Sequence, residues 1–169
     1  MLSGDRIVAE RSESMARGQA ERLMPLVESL LAEANAEWAS LTRLGVGIGP
    51  GNFTGIRIAV AAARGLALGL GIPAIGVTIF DAMASTADNP DEIRIPAGRG
   101  LHYAMSSGSV GDPALSEGDV PPLDAAGLVR AIARIAALRA LPQPRPAPLY
   151  LRPADAAPPR DAPPRIHDA

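Results

Sequence analysis

The sequence predicts an α/β layer architecture, on three observations. Three helical stretches alternate with short apolar, β-branched stretches in the order helix, strand, helix, strand, helix between Gln19 and Ala84. The strand candidate Leu44–Ile48 alternates Leu44, Val46 and Ile48 with glycines. Hydrophobic residues make up 47% of the 169-residue chain but aromatics only 3%, so the core is built from Ala, Leu, Ile and Val.

Taken in order, "LSGDRIVAE" reads as a turn on Ser3-Gly4-Asp5 followed by a short strand from Arg6 to Glu10. Only Met1 and Leu2 precede that turn, so a first strand is expected to be missing. In "GQAERLMPLVESLLAEA", Leu23, Leu26, Val27, Leu30, Leu31 and Ala34 recur at helical spacing, with Glu21, Arg22, Glu28 and Glu33 on the other side. Pro25 predicts either a start near Met24 or a kink. The second helix spans 54–70, with Asn52 or Thr54 as its N-cap and Gly71 or Gly69 at its end; Pro73 forbids continuation. "IPAIGV" is a short strand, and Thr78 caps a third helix in "TIFDAMAST". Between Asp88 and Leu123 only "EIRI" and "LHYAM" resemble strands. "DAAGLVRAIARIAALRAL" is a helix with Leu128, Ile132, Ile135 and Leu138 on one face. Nine prolines after Leu141 predict an extended tail. The organisation expected is a lobe over 1–87, a reduced second lobe over 88–141 and a Pro-rich tail over 142–169.

Composition excludes much chemistry. Net charge is -2, so nothing general attracts nucleic acid or anionic membrane. All 16 basic residues are arginine, which removes Schiff bases and a P-loop lysine. Without cysteine there are no disulfides, thiolate metal sites or thiol nucleophiles. No uncharged apolar run approaches the ~18 residues that a membrane helix needs, so no membrane partner is expected. His102 and His167 are far apart and are expected to be solvated. The serines Ser106, Ser107 and Ser109 lack a nucleophile elbow. Acidic groups at Asp88, Asp91 and Glu92, and at Asp112, Glu117 and Asp119, read as solvated loops. A metallopeptidase reading fails for want of ligands.

Gly45, Gly47, Gly49 and Gly51 pose the central question, because glycine-rich loops before helices often cradle phosphate. A P-loop needs a Lys-Ser/Thr pair where this chain has Asn52-Phe53. A dinucleotide fingerprint needs glycines at offsets 0, 2 and 5, and each register meets Pro50, Asn52 or Thr54 instead. Anion binding at free amides stays open, weakened by the missing N–H of Pro50. The favoured reading is structural: Gly45 and Gly47 let another element approach the strand, and Gly49, Pro50 and Gly51 make the turn into the helix. On that helix Gly55, Ala59 and Ala63 fall at i, i+4 and i+8, with Ala62 beside them and Arg57 and Arg64 at the margin. Such a strip suits close helix–helix packing, either inside its own domain or against a partner.

Three segments are specific enough to carry a family resemblance. "GIGPGNFTGIRIAVAAARGLALGLGIPAIGVTIFDAMA" resembles the signature of the TsaB (YeaZ) family, GPGSFTGLRIG followed by an alanine-rich helix, LGIP and a strand. "RGQAERLMPLVESLL" is similar to the family's first helix, and "PLYLRPADAAPP" to its C-terminal YLR-x-x-DA segment. Gln19 stands where the family carries a histidine, Asn52 replaces its serine, and Pro96 replaces an aspartate. The resemblance implies an actin-like, sugar-kinase-like (ribonuclease H-like) lobe, truncated at the first strand and shortened between Tyr103 and Asp124. It implies a non-catalytic, cytoplasmic partner in making threonylcarbamoyladenosine on tRNAs that read ANN codons. TsaD and TsaE are the implied partners, with a homodimer in their absence, and tRNA is met only through the complex. ATP and metal are implied on TsaD, and no cofactor is expected on this chain. The implied docking face holds Leu23, Leu26 and Leu30 of the first helix, with Phe53, Thr54, Gly55, Arg57, Ala59, Ala63 and Arg64 of the second. The alternative is a small-molecule kinase or ATPase of the same superfold that uses the glycine loop for phosphate.

Overall fold

The structure, a computed structural model, describes residues 1–86, 91–106, 108–109 and 111–151. Asp88, Ser107, His167 and the tail beyond Leu151 lie outside the described residues. A hairpin of β1 (Leu2–Ser3) and β2 (Arg6–Ile7) opens the chain, with Gly4 at φ 57° in its turn. The strand expected over Arg6–Glu10 is therefore only two residues long, and Leu2–Ser3 supplies its partner. The Met1 ammonium donates to Ala9 O, and Val8 N–H donates to Met1 O, which fastens the hairpin's open end.

Helix α1 (Gln19–Glu33) runs through Pro25. Pro25 removes one backbone donor at a position that is exposed, so the freed carbonyl can meet water. A 3₁₀ turn at Trp38–Ser40 leads to β3 (Leu44–Gly47), which pairs in parallel with β4 (Ala74–Val77) in the register Leu44↔Ala74 to Gly47↔Val77. Between them runs α2 (Phe53–Leu70) as the crossover. Asn52 caps it, its Oδ1 accepting from Gly55 N–H at 2.8 Å. Gly71, at φ 67°, ends it in the left-handed conformation that glycine tolerates. Thr78 caps α3 (Ile79–Ala84) through the Asp81 N–H.

The middle region holds more strand than the sequence suggests. β5 (Glu92–Gly98), β6 (Leu101–Ser106) and β7 (Ala114–Glu117) form an antiparallel sheet in the order β5-β6-β7. Ile93, Ile95 and Tyr103 of this sheet meet Phe80 of α3 in one core cluster. His102 is not solvated as expected. It is buried on the central strand, and its Nδ1 lies 3.0 Å from Gly118 O, so the buried ring has a polar partner.

Helix α4 (Ala125–Leu138) follows in the chain but not in packing. Grouped by the sequence with the second lobe, it lies instead on β3, β4 and α3. Ala131 and Ala136 join Ile75, Val77 and Ala82 in the second core cluster, edged by Leu128, Ile132 and Ile135. Leu138, expected on that face, is 84% exposed. The helix ends there, and Arg139 makes the return contact, donating to Gly76 O at 2.6 Å and to Asp81 Oδ2 at 2.8 Å. Arg43 donates to Ala136 O and Arg139 O, satisfying carbonyls at the α4 C-terminus.

Candidate partner-docking surface

The glycine run is filled by the chain itself. A Cβ on Gly45 would lie 2.8 Å from Ala136 Cβ, and one on Gly47 would lie 3.2 Å from Ile132 Cδ1. Their glycine face is what lets α4 sit so close. Gly49 has φ 105°, and a Cβ there would meet Ile56 Cδ1 at 2.9 Å and Leu149 O at 3.1 Å. The backbone around the turn is also engaged. Gly49 O accepts from Ile79 N–H at 2.9 Å, and Ile48 O accepts from Leu149 N–H at 2.8 Å. Pro50 is buried, and Gly51 is exposed at the mouth of the turn. The run therefore serves packing and the turn. Among the described residues no group of three or more His, Cys, Asp or Glu side chains is placed to hold a metal ion.

The rest of α2 behaves differently. Val60 and Ala67 are buried toward β3 and β4, while Gly55, Ala59 and Ala63 are only half-buried. The most open side lies next to them and holds Arg57, Ala61, Arg64, Gly65 and Leu68, with Leu68 83% exposed. Sequence spacing singles out the half-covered strip and does not mark Ala61 or Leu68. Full exposure of a leucine beside two arginines carries no signature in spacing alone. By length and composition α2 also reaches the size of a membrane-crossing helix. Arg57 and Arg64 interrupt the run, so it is not an uncharged one.

In α1, Leu23, Leu26 and Leu30 are half-buried and Leu31 is buried; the helix makes a light contact with α2. Its leading turn is braced by Arg22, which donates to both carboxylate oxygens of Glu13 at 2.8 and 2.6 Å. That hydrogen bond holds the Glu13 carboxyl below its ordinary value, and the Arg22 guanidinium is raised in turn.

The N-terminal end of α2 joins three side chains that the sequence does not show as neighbours. The Arg57 guanidinium carbon sits 3.9 Å from the Phe53 ring centre and 5.6 Å from that of Tyr150. The two rings lie 4.9 Å apart at an interplanar angle of 35°. Arg57 Nε–H donates to the Tyr150 hydroxyl at 2.7 Å. Thr54 is exposed beside them. Arg57, at the margin of the strip, is thus tied to the C-terminal segment 93 residues away. Tyr150 was legible only as part of the tail motif, not as a member of the surface.

A family model described as "TsaD: tRNA N6-adenosine threonylcarbamoyltransferase" matches residues 6–115. The tRNA threonylcarbamoyladenosine biosynthesis protein TsaB of Escherichia coli (strain K12) is 37% identical over 86 residues, which are 51% of this chain and 37% of that protein. The chain belongs to the TsaB/YeaZ family. TsaB of Bacillus subtilis (strain 168) is 33% identical over 106 residues, 61% of this chain and 46% of that protein. The matched part of this TsaB/YeaZ chain thus spans less than half the length of these two relatives. Its fold is similar to that of YeaZ from Pseudomonas aeruginosa, with a TM-score of 0.58 and 24% identity over 82% of this chain and 87% of that one. The lobe is of the actin-like class.

Proposed function

We propose that this TsaB/YeaZ chain takes part in forming threonylcarbamoyladenosine on tRNAs that read ANN codons, as a non-catalytic partner of TsaD in the cytoplasm. TsaE joins the pair, tRNA is met through the complex, and ATP and metal are held by TsaD. Without these partners the same helices pair two copies of the chain across a twofold axis.

One observation carries the reading: in a chain with this family match, α2 leaves a small-residue face and a nearly fully exposed Leu68 uncovered. Exposed apolar surface beside polar groups marks interaction sites, and small side chains let a second helix approach closely. The kinase-like alternative draws less support, because the glycines it would need are occupied by Ala136, Ile132, Ile56 and Leu149.

Reconstitution tests the proposal. TsaD, TsaE, ATP, the activated threonylcarbamoyl donor and unmodified tRNA are incubated with and without this chain, and modified nucleoside is counted by mass spectrometry. Modification that depends on the chain, with no ATP turnover by the chain alone, is the expected result. Equal modification in its absence, or ATP turnover by pure protein that is lost on changing Gly49, overturns it.

A further inference from the structure

We infer that Phe53, Arg57 and Tyr150 form a carboxylate clamp on the docking face, taking an Asp or Glu side chain of the partner. This rests on the docking role proposed above and names the chemistry at the N-terminal end of that face.

The geometry builds the clamp from the chain outward. Gly71 and Asn52 fix the ends of α2, which sets Phe53 and Arg57 one turn apart on the same side. Pro146 is buried against Gly76, and Leu149 N–H holds the tail to Ile48 O, so Tyr150 is delivered to a fixed place. Arg57 then lies over Phe53 and within reach of the Tyr150 ring. Stacking of this kind strips water from the flat face of the guanidinium and restricts its rotamers. Its Nε–H is spent on Tyr150. The terminal nitrogens remain as a planar fork, the geometry that suits the two oxygens of a carboxylate. The Tyr150 hydroxyl accepts from Arg57, so its own proton is left to donate outward to the same acceptor.

Charge settles what the fork takes. From Phe53 to Leu70 the helix carries Arg57 and Arg64 and no acidic residue, and both arginines are exposed. A second copy paired through α2 brings no carboxylate on that helix to meet the fork. An acidic partner surface supplies one. Two arginines in a chain of net charge -2 are also few for gripping a nucleic-acid backbone. Arginine and tyrosine are among the residue types enriched in interface hot spots.

The test measures binding of the full chain to purified TsaD at low and high salt, with four variants. Tyr150→Phe keeps the ring and loses the hydroxyl; it is expected to weaken binding ~5–10-fold. Arg57→Lys keeps charge but loses the fork, and Arg57→Gln loses both; each is expected to cost ~10–100-fold. Arg57→Gln also flattens the salt dependence, which a purely structural role would not do. The double variant Arg57→Gln with Tyr150→Phe binds no more weakly than Arg57→Gln alone, because both act on one acceptor. Neutralising one particular carboxylate of TsaD reproduces the loss and adds nothing to Arg57→Gln. If Arg57→Gln and Tyr150→Phe bind within twofold of the unaltered chain while Ala61→Phe abolishes binding, the docking face stands and the clamp is wrong. If the Arg57 variants bind TsaD normally but retain less tRNA in the complex, the acceptor is a phosphate and the clamp is again wrong. Failure of the unaltered chain to bind TsaD removes the docking role and the clamp with it.

Discussion

Strand β3 and helix α2 follow each other in the chain and are both built on small residues, yet their small residues have opposite surroundings. On β3 the space above Gly45 and Gly47 is taken by Ala136 and Ile132 of α4. On α2 an added Cβ at Gly65 or Gly69 would meet nothing within 4 Å. A glycine whose missing side chain is replaced by a neighbour is explained by the fold. A glycine facing open space in a helix interior is not, and a closely approaching partner is one way to account for it. Small-residue content alone therefore does not separate a packed strand from a docking helix; occupancy of the vacated volume does.

The comparison breaks most readily at Gly45. Gly45→Val places carbons where Ala136 Cβ already stands at 2.8 Å from the first of them, with Ile132 O at 3.2 Å. Overpacking of this kind costs ~1–3 kcal/mol, and a branched side chain against backbone belongs at the upper end. Thermal unfolding should shift down by several degrees, at about 2–4 °C per kcal/mol for a chain of this size. Unchanged melting would mean that α4 does not press on β3 as described.

Ala61→Phe and Ala63→Phe come next and sharpen the contrast within α2. Ala61 is exposed and Ala63 half-buried. Ala61→Phe should leave melting of the isolated chain in place while TsaD affinity drops about 10–100-fold. Ala63→Phe should lower both. If Ala61→Phe binds normally and only Ala63→Phe fails, the loss reflects folding, and the open side of α2 is not where the partner sits.

Much of this was legible in the sequence, and the reasons are local. Asn52, Thr78 and Gly71 act within a turn of their own position, so cap chemistry narrows the ends of α2 to Asn52 or Thr54 and to Gly71 or Gly69, and it marks the start of α3. The alternation of glycine with Val46 identifies β3 and the need for a close neighbour. Which neighbour was not legible, because α4 lies some 80 residues further on and nothing in its own pattern names β3. The burial of His102 depends on a carbonyl on Gly118 that is brought near by strand pairing. Leu138 keeps the helical period of its face but is the helix's last residue, past the end of the surface that α4 covers. Arg57 looked like a free charge because its partner, Tyr150, reaches it only through the path of the tail.

The Asn52 cap is a smaller lever on the same helix. Asn52→Ala removes the acceptor for Gly55 N–H and should cost about 1 kcal/mol of stability. It also loosens the first turn, where Phe53 and Arg57 are held. Partner affinity should fall by less than tenfold, in parallel with the melting shift. A large affinity loss without a melting shift would place Asn52 in the interface itself.

The smallest expected effect is also the most discriminating, and it has the opposite sign in the two assays. Gly65 lies in the interior of α2, is exposed, and has nothing within 4 Å of an added Cβ. In a helix interior glycine is about 0.5–1 kcal/mol worse than alanine, because it loses more backbone freedom on folding. Gly65→Ala should therefore raise the melting temperature of the isolated chain by about 1–4 °C. On β3 the corresponding Gly45→Ala should lower it, because there the methyl meets Ala136 Cβ at 2.8 Å. If the open side of α2 receives a closely approaching partner helix, the same Gly65→Ala that stabilises the chain should weaken TsaD binding severalfold, since one methyl must fit where backbones nearly touch. A stabilised variant that binds as well as the unaltered chain would show that the partner does not approach Gly65 closely, and the contact would then shift toward the Arg57 end of the helix.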